Sequence, residues 1–217
     1  MSIFSFKGLR RRWRALQLMG LSPGMLKDVD GLQFGKMLGS GGGNGFSILP
    51  NFGVYALLGV WRDEAAAREF MAGGELFVEC KKVSTGCRTF FMRTATVHGS
   101  WEGQSPFVVN AVAGPADPVC VITRATIARR HLWHFWRYVP PVSRSVIGRE
   151  GLRYAIGIGE LPIIQQATFS WWESNEAMQN YAYKSRHHSE VVRKTRELGW
   201  YSEELFARLA PYLVLDF

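Results

Sequence analysis

One stretch of this chain occurs twice. VYALLGVWRDEAAAREFMAG, Val54 to Gly73, and QQATFSWWESNEAMQNYAYK, Gln165 to Lys184, align without a gap. Trp61 falls on Trp172, Ala66 on Ala177 and Phe70 on Tyr181, each pair 111 residues apart (172 − 61 for the tryptophans). Each copy is an alternating apolar strand that ends at Trp. An Asp or Ser able to cap a helix follows, and then apolar residues at helical spacing. A duplication at about half of a 217-residue chain limits the fold to one built twice from the same supersecondary unit.

The flanking segments extend the match. In the first half the pattern predicts a strand near Trp13 to Leu18, a helix near Gly31 to Leu38, the strand Val54 to Trp61, the helix Asp63 to Met71 and a strand near Arg93 to His98. In the second it predicts a strand at Val119 to Ala128, a helix from His131 to about Ile147, the strand Gln166 to Trp172, the helix Glu176 to Leu198 and a last strand near Tyr212 to Leu215. This is an α+β protein of tandem ferredoxin-like repeats, residues 1–112 and 113–217, in one compact unit. A sheet with helices on one face must bury the other. Two such sheets covering each other give a fused version of the dimeric α+β barrel, and an ordinary α+β domain without barrel closure is the alternative. With 47% hydrophobic residues the chain can fill the core this needs.

Several function classes lose support at this stage. Apolar stretches such as Val54 to Val60 end well short of the roughly 18 residues of a membrane-spanning helix. The start, MSIFSFKGLRRRWRALQLMGL, places its basic cluster after an apolar patch and does not read as a secretory signal, so a cytoplasmic location is expected. Cys80, Cys87 and Cys120 are odd in number, lack metal-ligand spacing and suit packing in a reducing compartment. A net charge of +8 suits nucleic acid, an anionic membrane surface or acidic ligands. Arginine concentrates at Arg10 to Arg14 and between Arg186 and Arg208, in no nucleic-acid module, so no nucleic-acid partner is expected. A solvated basic face and a membrane-surface patch account for the clusters equally well.

The Gly-rich run LGSGGGNGF, Leu38 to Phe46, lacks the Lys-Ser/Thr of a phosphate loop and the G-x-G-x-x-G spacing, and it is read as following a helix. It is taken as a tight or flexible loop. His131 and His134 are three apart, but no acidic or Cys partner stands near them. Neither a Ser-His-Asp pattern, nor H-E-x-x-H, nor paired carboxylates occur, so a hydrolase has little support.

His187 and His188 stand side by side in YKSRHHSEVVRK. At about 100° per residue, His188 falls in line with Ala177, Tyr181, Val192 and Thr195, the least charged stripe, and His187 falls on the wet face. An inward histidine is either a hydrogen-bonded core residue or the single axial ligand of a haem, since imidazole leaves the opposite side of the iron open. The position 111 residues earlier is Phe77. A packing residue has less reason to differ in this way between the halves, whereas one cofactor needs one ligand.

GIGELPIIQQATFSWWES (Gly157 to Ser174), AMQNYAYKSRHHSEVVRKTRELGWYSEELFARL (Ala177 to Leu209) and MLGSGGGNGF followed by VYALLGVW together resemble the spheroidene monooxygenase family of bacterial carotenoid oxygenases, over nearly the whole chain. The resemblance implies a haem protein that hydroxylates C2 of an acyclic carotenoid end group. A second hydroxylation gives a geminal diol that loses water to leave a 2-keto group. It implies haem b on His188, O2 as co-substrate, and an external electron-donor protein such as ferredoxin. Arg124, in CVITRATI, is then the candidate catalytic residue of the distal pocket or a propionate partner, and Arg193, Arg196 and Arg186 are further propionate partners. Phe46, Trp133, Trp136, Phe169 and Trp172 suit a channel for an apolar polyene. The Arg10 to Arg14 cluster beside Trp13 suits peripheral contact with the inner membrane. The expected barrel is similar to that of chlorite dismutases and aldoxime dehydratases, so a haem-dependent lyase or dehydratase acting on a substrate such as an aldoxime is the alternative enzyme. A non-catalytic ligand carrier is the third reading.

Overall fold

The computed structural model describes residues 1–42, 49–133, 136, 149–161, 163–184 and 198–217. Its elements are β1 (Ser2–Ser5), α1 (Leu9–Leu26), β2 (Leu32–Gly41), β3 (Pro50–Trp61), α2 (Glu64–Gly73), α3 (Glu75–Val83), β4 (Gly86–Gly99) and β5 (Val119–Ile127), then a 3-10 turn (Arg129–His131), β6 (Leu152–Gly159), β7 (Gln165–Trp172), α4 (Asn175–Lys184) and β8 (Tyr201–Asp216). The fold is α+β with antiparallel strands. Two compact units divide the chain. The first comprises Met1–Ser40, Pro50–Phe91 and Leu213–Phe217, the second Gly41–Leu49 and Met92–Tyr212.

In the first unit the strands are ordered β4-β1-β3-β2. Phe4 of β1 stands opposite Tyr55 on one side and Cys87 on the other. These side chains join Phe6, Leu57, Met37 and the buried faces of α1, α2 and α3 in one core cluster. Residues Trp13 to Leu18, expected as a strand, lie in α1. The reason is the buried stripe Ala15, Leu18 and Ser22, whose spacing is helical and which the surrounding arginines obscure. Gly31 to Leu38, expected as a helix, becomes β2 after Gly31 turns the chain at φ 71°. Pairing with β3 and the glycines at 35, 39 and 41, which are poor helix formers, favour the strand. The Gly-rich run therefore follows a strand, and the Gly42 amide donates to the Leu49 carbonyl at 2.7 Å. Residues 43–48, Phe46 included, lie outside the described residues.

The second unit has the order β8-β5-β7-β6, matching the first unit position for position. Arg124 of β5 stands opposite Ala167 of β7 and Leu205 of β8. The helix expected from Glu176 is described as far as Lys184. The helix expected from His131 is described only at its start, where the 3-10 turn runs into helical Leu132 and Trp133 and again at Trp136. The last strand begins at Tyr201 rather than near Tyr212, because Leu205, Ala207 and Leu209 alternate into the core.

The duplication extends to side-chain contacts. Asp63 Oδ1 accepts the Ala66 amide at 2.8 Å, and Ser174 Oγ, its equivalent, accepts the Ala177 amide at 3.0 Å. Trp61 lies 5.0 Å from Phe70 and Trp172 lies 5.2 Å from Tyr181, centroid to centroid. Gly31 and Gly151, at φ 71° and 78°, occupy the same place in the two units. A Cβ on either would come within 2.5 Å of the Ala66 or Ala177 Cβ. Only glycine tolerates both that backbone and that approach.

Candidate functional site

The two units differ on the sheet face beneath their helices. In the second unit, Val119 and Val121 of β5 pack with Trp172, Met178 and partly buried Ala177, Tyr181 and Leu152 at one end of that face, and Phe206 of β8, opposite Thr123, packs against them. Ile127 packs with Trp200, Leu132 and Trp136 at the other. Period-two alternation puts Thr123 and Ala125 between them, on the same face. Their cross-strand partners are Thr168 and Gln166 of β7, which in turn stand opposite Gly157 and Gly159 of β6. The Thr123 and Thr168 hydroxyls are 2.6 Å apart. Thr123, Thr168, Gln166 and Gly159 are half-buried, whereas Ile122, Phe169, Ile156 and Ile158 on the opposite face are buried. The result is a floor of small and polar side chains, two rows deep, in the stretch of about 20 Å between Val121 and Ile127, bounded by two aromatic clusters.

The first unit has no such floor. Aligning Ser2↔Leu57 with Thr123↔Thr168 matches Phe4 to Ala125, Tyr55 to Gln166, Leu57 to Thr168 and Cys87 to Glu204. Phe4, Tyr55, Leu57 and Cys87 are all buried in the first unit's core. A sheet face filled by its own side chains has no room for a ligand. One lined by Gly, Ala and Thr between apolar walls can accept a flat apolar group, with a few polar groups to orient it.

A haem needs an axial donor as well as a floor. Among the described residues no group of three or more His, Cys, Asp or Glu could hold a metal ion. Burial pushes the Cys80 and Cys120 thiols up to about 12 and raises Cys87 as well, so all three are protonated and poor ligands. They are free and buried, as packing residues are. His98 is exposed at the end of β4, and His131 Nε2 accepts from Arg130 Nε at 3.0 Å. Ala177 and Tyr181, which define the inward stripe of the sequence argument, do pack on the Trp172 cluster. Phe77 is buried in the first unit's core, 5.5 Å from Phe4. His188, His187, Arg186, Arg193 and Arg196 lie outside the described residues, as does His134.

Arg124 lies on the opposite face from the floor. Its side chain is 1% exposed. Nη1 donates to Glu203 Oε2 and Nη2 lies 3.5 Å from Glu160 Oε2, while the guanidinium sits 5.5 Å from the centre of the Trp101 ring. Trp101 Nε1 donates to the same Glu160 oxygen at 3.0 Å. Glu203 Oε1 accepts from the Ser100 hydroxyl at 2.9 Å and the Gly103 amide at 2.7 Å. Burial pushes the Glu203 carboxyl upward, but these bonds, from Gly103, Ser100 and Arg124, outweigh it and hold the group at about 2. Sequence reading missed Trp101, Glu160 and Glu203. The one available signal was the alternation Glu203, Leu205, Ala207, Leu209, which puts that glutamate on an inward face.

Of the residues expected to line a polyene channel, Trp172 and Trp136 belong to the clusters at the two ends of the floor. Trp136 Nε1 donates to the Ile163 carbonyl at 3.0 Å. Phe169 is buried on the Arg124 face. Trp133, just after the 3-10 turn, is 79% exposed.

No family model matches the chain. It is 34% identical over 210 residues to spheroidene monooxygenase of Rhodobacter capsulatus, a match covering 96% of this chain and 87% of that one. It is 32% identical over 209 residues to spheroidene monooxygenase of Cereibacter sphaeroides, covering 96% of this chain and 64% of that longer protein. The match to the Rubrivivax gelatinosus protein of the same name is 34% over 181 residues, 83% of this chain and 69% of that one. Among solved structures, aldoxime dehydratase superposes with a TM-score of 0.68 at 12% identity, over 99% of this chain and 82% of that one. An aldoxime dehydratase crystallised with butyraldoxime gives 0.66 at 11% identity, over 99% and 80%. At these identities the structural likeness is one of fold alone.

Proposed function

The chain belongs to the spheroidene monooxygenase family and is an oxygenase, an oxidoreductase; from that premise we propose that it is a haem-dependent monooxygenase of an acyclic carotenoid. The reaction proposed is hydroxylation of the C2 end group. Each turnover consumes O2, two electrons and two protons, placing one oxygen atom in the substrate and the other in water. Repetition at the same carbon gives a geminal diol, and loss of water leaves a 2-keto group. One observation carries this reading: about one third of residues are shared with a carotenoid oxygenase along 96% of the chain.

The floor of the second unit supports it. In this proposal His188 would hold the haem iron through its imidazole, Arg193 and Arg196 would pair with the propionates, and Gly157, Gly159, Ala125 and the Thr123–Thr168 pair would line its pocket. Haem b, when bound, supplies O2 activation with electrons from an external donor such as ferredoxin. The aromatic clusters at the two ends exclude water and contact the polyene. Arg124, engaged by two carboxylates on the other face, is a positioning residue that ties β5 to β8 and to Glu160. The matching strand orders support the further proposal that residues 1–112 and 113–217 are tandem ferredoxin-like repeats forming a fused dimeric α+β barrel.

The test is the visible spectrum of the protein expressed with a haem precursor, wild type against His188→Ala, joined to turnover with and without O2 and reductant. The proposal predicts a Soret band that the variant loses or shifts, and product only with both co-reactants. A wild type colourless at full haem supply, or a variant with an unchanged spectrum, overturns the ligand assignment. Turnover of an aldoxime without O2 overturns the oxygenase reaction in favour of dehydration.

A further inference from the structure

Helix α1 is built against its own stability. Lys7, Arg10, Arg11 and Arg12 crowd its N-terminus, where the helix macrodipole is positive, and the first turn holds no acidic residue. Gly8 provides no side-chain cap. The buried stripe of Ala15, Leu18 and Ser22 faces the first unit's core. On the opposite side stand Leu9 and Trp13, one turn apart, 85% and 63% exposed. Two large apolar side chains at the solvent pole of a helix gain nothing from folding.

The charges follow the same geometry. At about 100° per residue, Arg10 flanks the Leu9–Trp13 ridge on one side and Arg12 on the other. Arg14 is tied to Glu79 at 2.9 Å. Lys7, Arg10 and Arg11 make no ion pair among the described residues and are exposed. An apolar ridge carrying a tryptophan and flanked by uncompensated guanidiniums is complementary to one kind of surface. The ridge enters the boundary of a bilayer while the cations reach its phosphates. An acidic protein surface matches the charges but leaves Leu9 and Trp13 without a function.

We propose that the exposed face of α1, centred on Leu9 and Trp13 and flanked by Arg10 and Arg12, docks the protein on an anionic phospholipid surface. The inference is independent of the reaction the enzyme performs. It is tested by co-sedimentation of the purified full chain with phosphatidylcholine vesicles, with and without phosphatidylglycerol, at low and high salt. Binding is expected only with phosphatidylglycerol and is expected to weaken as salt rises. Arg10→Gln and Arg12→Gln each lower the affinity about fivefold. Leu9→Ser/Trp13→Ser lowers it at least about tenfold, with circular dichroism and Tm unchanged because both residues are exposed. Equal binding to neutral vesicles, or none to anionic ones at low salt, overturns the proposal. So does binding that the α1 substitutions leave unchanged. Binding to polyaspartate but not to vesicles, insensitive to Leu9→Ser/Trp13→Ser, overturns it in favour of an acidic protein partner.

Discussion

The two units repeat a framework and differ on the surface it supports. Each has a tryptophan ending its third strand, a capped helix after it, and a glycine pressed against an alanine in the helix's first turn. Beneath the helices, one sheet carries Phe4, Tyr55 and Leu57 where the other carries Ala125, Gln166 and Thr168. The contacts that repeat define the fold and those that do not define the site. A packed face stabilises through burial, at roughly 25 cal/mol per Å² of apolar surface. The face that gives this up retains room for a ligand.

The sharpest way to break this comparison sets the second unit's buried cluster against an exposed pair in the first. Arg124→Ala leaves Glu160 and Glu203 without their cation and is expected to cost about 3–5 kcal/mol in urea unfolding. Arg62→Ala, which removes exposed pairs to Asp30 and Asp63, is expected to leave the urea midpoint nearly unchanged. Next come the floor exchanges. Leu57→Thr opens a void and buries a hydroxyl in the first core, costing about 3 kcal/mol. Thr168→Leu, on a half-buried face, stays within about 1 kcal/mol of wild type. Equal costs for the two exchanges would mean that both faces are packed alike.

The Glu203 carboxyl gives a pH signature of similar size. Its folded value, about 2, lies below its ordinary 4.5, so between these values the unfolded chain binds more protons. The stability it contributes is complete above about pH 4.5 and is lost as pH falls toward about 2. Acid unfolding followed by circular dichroism should be flatter over that window in Glu203→Gln. The smallest effect tests what the units share. Asp63→Ala and Ser174→Ala should each cost about 1 kcal/mol, within error of one another.

The framework was legible because it is local. Trp, cap and Ala fall within six residues in each copy, from Trp61 to Ala66 and from Trp172 to Ala177, and the chain shows the pattern twice. β1 escaped because a four-residue strand carries too little alternation to register. α1 was masked by its arginines, which leave only Ala15, Leu18 and Ser22 to mark the buried stripe. In the Arg124 cluster only the inward face of Glu203 was legible, from its alternation with Leu205, Ala207 and Leu209; the partnership was not, since the carboxylates lie 36 and 79 residues away and are brought together by strand pairing. The floor was equally hidden. Thr123, Ala125, Gln166 and Thr168 are unremarkable residues, and only the register that matches them to Ser2, Phe4, Tyr55 and Leu57 shows what is missing.

That substitution of small for large is also the place to test the account. Ala125→Phe/Thr168→Leu gives the second unit the side chains the first unit already has at these positions. The measurement is haem stoichiometry and Soret absorbance after purification with saturating haem, compared with wild type and with Tm recorded in parallel. The account predicts a variant as stable as wild type that retains little or no haem. A folded variant that binds haem with wild-type stoichiometry and an unchanged spectrum would contradict it, and the cofactor would then have to lie elsewhere.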